Sequence, residues 1–280
     1  METTTYEIKP QSSLLDLKLK EVWRYRDLIS MFVRRDIVTL YKQTILGPLW
    51  YFIQPLLTTL VFTVIFGKVA KIPTDGLPPM LFYLAGVTAW NYFADSFRNT
   101  SDTFKKNENI FGKVYFPRIV MPLSIVISGL LKFGIQLILF IGFIVYFMAR
   151  GVDIQPVWSL IWLLPFLLLL MGFMGLGFGM IISSMTTKYR DLVFLIQFGI
   201  QLLMYATPVI YPLSTIPEKY RWIVELNPMT SIIETFRYTF LGQGSFSWQG
   251  LAYTTVFTAV LMFFGLIIFN KTEKNFMDTV

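Results

Sequence analysis

Four stretches of this chain, residues 49–66, 154–187, 192–215 and 245–270, contain no Asp, Glu, Lys or Arg. Each reaches or exceeds the roughly 18 apolar residues needed to cross a hydrocarbon core about 30 Å thick. Two further stretches are less uniform: 79–97 carries Asp95 near its end, and 119–148 is long and carries Lys132. A soluble core has no room for so many helices that are apolar all round. The expected fold is therefore an all-α polytopic membrane protein, a single domain over 1–280. Its six spans fall at about 49–68, 79–97, 119–148, 157–183, 192–212 and 247–270. Composition agrees, since 15% of residues are charged where soluble domains carry about 25%.

Six spans put both termini on one side, and the basic residues say which. Residues 1–48 hold Lys9, Lys18, Lys20, Arg24, Arg26, Arg34, Arg35 and Lys42, and the connection 98–118 holds Arg98, Lys105, Lys106, Lys113 and Arg118. With Lys188, Arg190, Lys271 and Lys274, seventeen of the 24 Lys and Arg lie on that side, against six on the other. The excess marks it as cytoplasmic. The net charge of +7 comes from these membrane-flanking segments. Attraction to anionic lipid headgroups accounts for it without nucleic acid.

Residues 14–46 alternate at helical spacing between Leu15, Leu19, Val22, Trp23, Leu28, Ile29, Phe32 and Val33 and a basic opposite face. That pattern describes an amphipathic helix lying in the inner interface, ended at Gly47-Pro48. A basic anchor and a gate between cytosol and pore both fit it. No cleaved signal peptide is expected, because the first 48 residues lack a short apolar core followed by a cleavage site. In the connection 98–118, Asn107-Glu108-Asn109 precedes Ile110 and Phe111, and Pro117 ends the segment. It reads as a short cytosolic helix, either a solvated loop or a docking element. On the outer side, Asn227-Pro228 reads as a helix N-cap with proline in the first turn, and Gly242 as the stop. Two short re-entrant helices, about 217–226 and 228–241, are expected there before the last span. The glycines Gly172, Gly175, Gly177 and Gly179 point to close helix packing rather than a hinge. No internal repeat stands out, which argues against inverted-repeat secondary transporters.

The chain contains no Cys and no His, which removes thiolate zinc sites and the commonest general base. No Gly-x-x-x-x-Gly-Lys-Ser/Thr loop is present to cradle a nucleotide phosphate. The chain is not expected to be an enzyme, and no catalytic residue, metal or cofactor is assigned to it. Polar groups within the spans are few: Gln54, Asn91, Asp95, Lys132, Gln136, Gln197 and Gln201. Gln197 and Gln201 share a helical face with Tyr205 and Pro208, fit either to line a hydrated path or to hydrogen-bond another helix. An ammonium near the bilayer centre costs about 2.5–3.5 kcal/mol. Lys132 should therefore snorkel to the interface or meet an anionic group such as a lipid phosphate. Trp50, Tyr51, Trp90, Tyr92, Trp158, Trp162, Tyr211, Trp222 and Trp248 belong mostly to interfacial belts, though a ring face also suits a sugar.

An ordered set of motifs resembles one family. Arg34-Arg35-Asp36-Ile37 and the run Tyr41-Lys42-Gln43-Thr44-Ile45-Leu46-Gly47-Pro48-Leu49-Trp50 resemble the approach to the first span in ABC-2 type permeases. Asn109, Phe116-Pro117-Arg118 and Met121-Pro122-Leu123 are similar to that family's first cytosolic connection. Tyr189-Arg190-Asp191-Leu192, Thr207-Pro208-Val209-Ile210-Tyr211-Pro212 and Asn227-Pro228 follow in the family's order. The likeness is greatest to the branch exporting O-antigen, capsule and teichoic acid polymers.

The resemblance implies a homodimer joined to two copies of a separate ABC ATPase, which binds ATP and Mg. It implies coupling helices at about 103–113 (Asn107, Glu108, Asn109, Phe111) and near 187–191 (Arg190, Asp191). Arg34, Arg35, Tyr41 and Lys42 would belong to a gate helix beside the site where a lipid-linked polysaccharide enters. Gln54, Asn91, Tyr92, Lys132, Gln197, Gln201 and Tyr205 are channel candidates, and Asn227 and Pro228 mark the outer re-entrant segment. The implied location is the bacterial cytoplasmic (inner) membrane. The rivals are an ABC-2 permease for a drug or small lipid, and a membrane-embedded enzyme acting on lipid-linked sugars.

Overall fold

A computed structural model describes residues 19–42, 45–111, 116–189 and 191–276. Among these, every regular element is helical. The chain begins with α1 (Leu19–Arg24) and α2 (Arg26–Lys42), then α3 (Trp50–Phe62), which widens into a π-helical stretch (Thr63–Val69). Next come α4 (Pro79–Ser101), the short α5 (Thr103–Lys106) and α6 (Glu108–Phe111), and the long α7 (Val120–Ala149). A 3-10 turn (Trp158–Leu163) leads into α8 (Leu164–Thr186), followed by α9 (Leu192–Tyr205). The chain closes with α10 (Glu218–Glu225), α11 (Pro228–Leu241) and α12 (Trp248–Phe276).

Boundaries fall where backbone chemistry puts them. Prolines occupy the first turn of the segments starting at Gly47, Pro79, Leu164 and Pro228, where a missing N–H costs nothing. Asn227 caps α11 through its side-chain oxygen, which accepts from Met229 N at 3.0 Å. Gly242 closes that helix at φ 70°, a conformation open to glycine at no steric cost. Two short helices, α10 and α11, and their cap and stop signals thus fall where the sequence places them.

Among the described residues, four helices are long and apolar enough to cross a membrane: Gly47–Val69, Val120–Ala149, Trp158–Thr186 and Trp248–Glu273. The other two expected spans differ for physical reasons. At 23 residues α4 is long enough, but Asn91, Asp95, Arg98 and Asn99 make its second half polar. The helix α9 has 14 residues, about 21 Å at 1.5 Å per residue. It stops at Tyr205 instead of reaching 212, because Pro208 and Pro212 cannot continue it.

The helix α4 is the centre of the packing and touches α3, α7, α8, α9 and α11. Leu81, Phe82, Tyr83, Leu84, Ala85, Ala89 and Phe93 on it are buried. Trp90 and Tyr92 are buried there too, so they are core residues and not part of an interfacial belt. By contrast Trp158, Trp162, Trp222 and Trp248 are exposed, as a belt requires. Helix α8 lies between α4 and α12, and its glycines set both distances. A Cβ on Gly175 would lie 2.7 Å from Ser96 Cβ and 3.0 Å from Phe93 O, and one on Gly177 would meet Leu261 Cγ at 2.9 Å. Small residues at these positions let backbones approach.

The two ends of the bundle are tied differently. At the α5–α6 end, Phe104 stacks on Phe269 at 4.6 Å, Phe104 N donates to Ser183 Oγ, and Thr186 Oγ1 donates to Ser101 O. At the α10–α11 end, Asn227 Nδ2 donates to Thr207 Oγ1 at 2.7 Å. This bond joins two of the sequence motifs, Thr207-Pro208 and Asn227-Pro228. Asn227→Ala removes the cap and the tie together. We expect a loss of about 1–2 kcal/mol, read as a lower thermal midpoint of the purified protein, with Asn227→Asp keeping the cap and losing less.

Candidate functional site

Two polar cavities share one wall, the polar half of α4. Asn91 and Asp95 are one turn apart on α4, and Gln136 and Lys132 are one turn apart on the antiparallel α7, so the four side chains form two rungs. Lys132 Nζ donates to Asp95 Oδ2 at 2.7 Å. Asn91 Nδ2 donates to Gln136 Oε1 at 3.4 Å. Arg98 stands 3.7 Å from the second Asp95 oxygen, and the Lys132 ammonium is 5.4 Å from the centre of the Tyr51 ring. The structure thus meets the Lys132 charge within the chain, through a carboxylate that sequence spacing did not pair with it.

The arrangement is asymmetric. Without Lys132, Asp95 keeps Arg98; without Asp95, the Lys132 and Arg98 cations are left near each other with no carboxylate between them. Asp95→Leu should therefore destabilise the protein more than Lys132→Met, by about 1–3 kcal/mol. Thermal unfolding of both variants in detergent checks this, and equal losses would contradict the asymmetry.

The first cavity, roughly 610 Å³, lies between α2, α4, α7 and the α5–α6 segment. Arg35, Asp36, Tyr51, Tyr92, Asn107 and Lys132 are among its lining residues. Asp36 accepts from Ser128 Oγ at 3.3 Å and pairs with Arg35 at 2.8 Å, which ties α2 to α7. The second cavity, roughly 560 Å³, lies between α3, α4 and α9. Gln54, Asn91, Asp95, Gln197 and Gln201 line it with the rings of Phe194 and Phe198.

The seven channel candidates therefore divide. Gln54, Gln197 and Gln201 line the second cavity, Tyr92 and Lys132 the first, and Asn91 both. Tyr92 is turned away from the second cavity: its hydroxyl donates to Val126 O at 3.4 Å and its ring packs on Phe133. Gln197 and Gln201 are exposed, and neither side chain hydrogen-bonds another helix among the described residues. Tyr205 ends the exposed face of α9. Pro208 lies beyond the helix and is buried, so it does not extend that face.

Of the other candidates, Arg34 and Lys42 are exposed on α2, which also carries Tyr41. Residues 1–18, Gln43, Thr44, Lys113 and Arg190 lie outside the described residues. Asn107 precedes α6 and its Nδ2 donates to Thr103 O at 2.9 Å; Glu108 and Asn109 are on α6. Phe111 is buried between Phe104 and Phe116, so it holds α6 to the bundle and presents no ring to a partner. Asp191 is exposed at the start of α9. Arg118 gains a structural role that its place in the sequence does not show. It is buried, donates to Glu273 O at 2.8 Å and lies over the Phe111 ring at 5.3 Å. Burial lowers its pKa, an effect opposed by the Glu273 carboxylate.

Comparisons with known proteins agree on one family. A family model described as ABC-2 type transporter matches residues 27–241. The O-antigen export system permease protein RfbA of Klebsiella pneumoniae is 32% identical over 266 residues, 94% of this chain and 99% of that protein. A protein of the same name from Myxococcus xanthus is 28% identical over 94% of this chain and 98% of its own length. The polysialic acid transport protein KpsM of Escherichia coli is 23% identical over 86% of this chain and 91% of its own length.

Proposed function

This chain belongs to the ABC-2 type transporter family, and we propose that it is the membrane-spanning permease subunit of an ABC exporter of a lipid-linked polysaccharide. The substrate is O-antigen or a related capsule or teichoic acid polymer, moved across the bacterial cytoplasmic membrane. The observation that carries this reading is the near full-length similarity to permeases named for O-antigen export.

In this reading the four long apolar helices, α4 and α9 make six spans, with both termini in the cytoplasm. The polar half of α4 is tolerated because α3, α7, α8 and α9 surround it, as irregular or polar segments at membrane depth require. The helices α10 and α11 dip into the outer leaflet, and the exposed Tyr220, Trp222 and Ile223 of α10 suit an interfacial position. Two copies pair so that the α3–α4–α9 cavities face each other and form the polymer path. Gln54, Gln197 and Gln201 then offer hydrogen bonds to sugar hydroxyls, while Phe194 and Phe198 offer ring faces to their C–H sides.

The chain carries no phosphate-cradling loop, so the energy comes from a separate ATPase subunit that binds ATP and Mg. Its closure reaches the spans through α5–α6 and through the α8–α9 connection that ends at Asp191. Affinity purification of the full-length chain from its own host should bring down an ABC ATPase in equal copy number. Recovery of the chain without any such ATPase would overturn this reading.

A further inference from the structure

The cavity beneath α2 is separate from the polymer path, and the reading above gives it no task. Two side chains in its wall are buried with a polar group unmet. Gln136 is 1% exposed and Ser96 2%, and among the described residues neither Gln136 Nε2 nor Ser96 Oγ has a hydrogen-bond partner. Buried polar groups without partners are uncommon in folded proteins, and at the wall of a cavity they mark a place where a guest supplies the missing bonds.

The charges decide the guest's class. Three cations line the cavity and each has a carboxylate: Arg35 with Asp36 at 2.8 Å, Lys106 with Asp102 at 3.2 Å, and Lys132 with Asp95 at 2.7 Å. A phosphate entering here would have to displace a carboxylate already in place, so an anion is disfavoured. What remains is neutral and mixed, with amides at Asn99, Asn107 and Gln136 beside the rings of Tyr51 and Tyr92. Amides and hydroxyls that donate and accept, next to aromatic faces, are the chemistry that holds a sugar ring. At roughly 610 Å³, the cavity falls in the 300–1,000 Å³ range of small-molecule sites.

We propose that this cavity is a binding subsite for neutral sugar residues of the exported glycan, built within one protomer at the α5–α6 end of the bundle. The proposal rests on the exporter reading above and adds a second place where the glycan is recognised. Its position gives the subsite a use. The guest would touch α2, the α4–α7 rungs, and Asn107 and Ile110 beside the coupling helices, so occupancy is sensed by the segment that faces the motor.

The test is equilibrium dialysis on the full-length permease–ATPase complex in lipid nanodiscs. The probe is a short tritium-labelled reducing-end oligosaccharide, released by mild acid from the producing strain's own lipid-linked glycan. Saturable binding is expected, weakened roughly tenfold by Gln136→Leu. It should also be weakened by Ile125→Trp, which fills the cavity without removing a polar group. Excess inorganic pyrophosphate should not compete, and Gly142→Ala, on α7 but in the wall of neither cavity, should leave binding unchanged. Wild-type complex without saturable binding, Gln136→Leu and Ile125→Trp variants that bind as wild type, or competition by pyrophosphate would each overturn the subsite. The exporter reading falls on a different result, surface polymer that persists after the chain is deleted. Loss of the subsite in a strain whose export depends on this chain leaves that reading intact.

Discussion

Arg237→Met is expected to leave little folded protein in the membrane fraction. Arg237 is 1% exposed, and its guanidinium holds three elements together. Nη1 donates to Glu234 Oε1 at 3.2 Å, Nη2 donates to Val209 O at 2.7 Å, and the guanidinium carbon lies 3.7 Å from the centre of the Phe82 ring. The partner carboxylate is equally engaged, since Glu234 Oε2 accepts from Ser245 N at 3.0 Å and Ser245 Oγ at 3.3 Å. Methionine keeps the apolar stem but leaves Glu234 as a buried anion without its cation, and leaves Val209 O without a donor.

Breaking a buried pair from one side costs about 3–5 kcal/mol, a large part of the stability of most domains. Glu234→Gln should cost less, because its amide oxygen still accepts one bond. Arg237→Met with Glu234→Gln should recover part of the loss, because no unpaired charge remains. Arg237→Lys should behave nearly as badly as methionine, because one ammonium cannot reproduce the planar fork that reaches Glu234 and Val209 at once. Fluorescence-detected size-exclusion after a heating series measures all four variants. An Arg237→Met midpoint within a few degrees of wild type would contradict the account.

Gly175→Leu should be comparably severe for a steric reason. A Cβ at position 175 alone would lie 2.7 Å from Ser96 Cβ and 3.0 Å from both Phe93 O and Phe97 N. Two of these atoms are backbone of the central helix, which is held by α3, α7, α8, α9 and α11. Leucine adds three more carbons to a site that cannot take the first. The cost should reach the upper end of the overpacking range, about 3 kcal/mol, and show as aggregated protein after solubilisation. Gly142→Ala is the matched control: apart from its own helical turn, no atom of the described residues lies within 4 Å of a Cβ at this position, so it should be neutral or slightly stabilising through helix propensity. Similar yields for Gly175→Leu and Gly142→Ala would mean that α4 and α8 do not meet as described.

The residues that were legible in the sequence share a property. Each is read from its own neighbours: the Asn227 cap, the Gly242 stop, the Gly47-Pro48 break, the glycine pattern of α8, and the one-turn spacing of Gln197 and Gln201. What was missed depends on distant parts of the chain. Asp95 and Lys132 each stand as an isolated charge in the sequence, but they are 37 residues apart and no periodicity links two helices. Trp90 and Tyr92 read as belt aromatics because hydropathy cannot tell a helix facing lipid from one facing protein. Once α4 is known to be central, both become core. Arg237 and Glu234 are charges within a largely apolar helix; their mutual burial explains how they are tolerated there. The apolar run continues to residue 212, but α9 ends at Tyr205 because Pro208 cannot continue it.

Buried polar groups thus account for much of what distinguishes this bundle from a set of apolar rods. The Arg237–Glu234 pair fixes the α10–α11 end, the Asp95–Lys132 rung separates two cavities, and the glycines of α8 fix its spacing from α4 and α12. The central claim is that this arrangement exports a glycan. The most direct measurement deletes the chain in its host and follows the polymer in periplasm-facing and cytoplasmic fractions, with plasmid-borne wild type as complement. The account predicts that surface polymer disappears, lipid-linked polymer accumulates on the cytoplasmic side, and the complement restores export. Unchanged surface polymer in the deletion strain would contradict it.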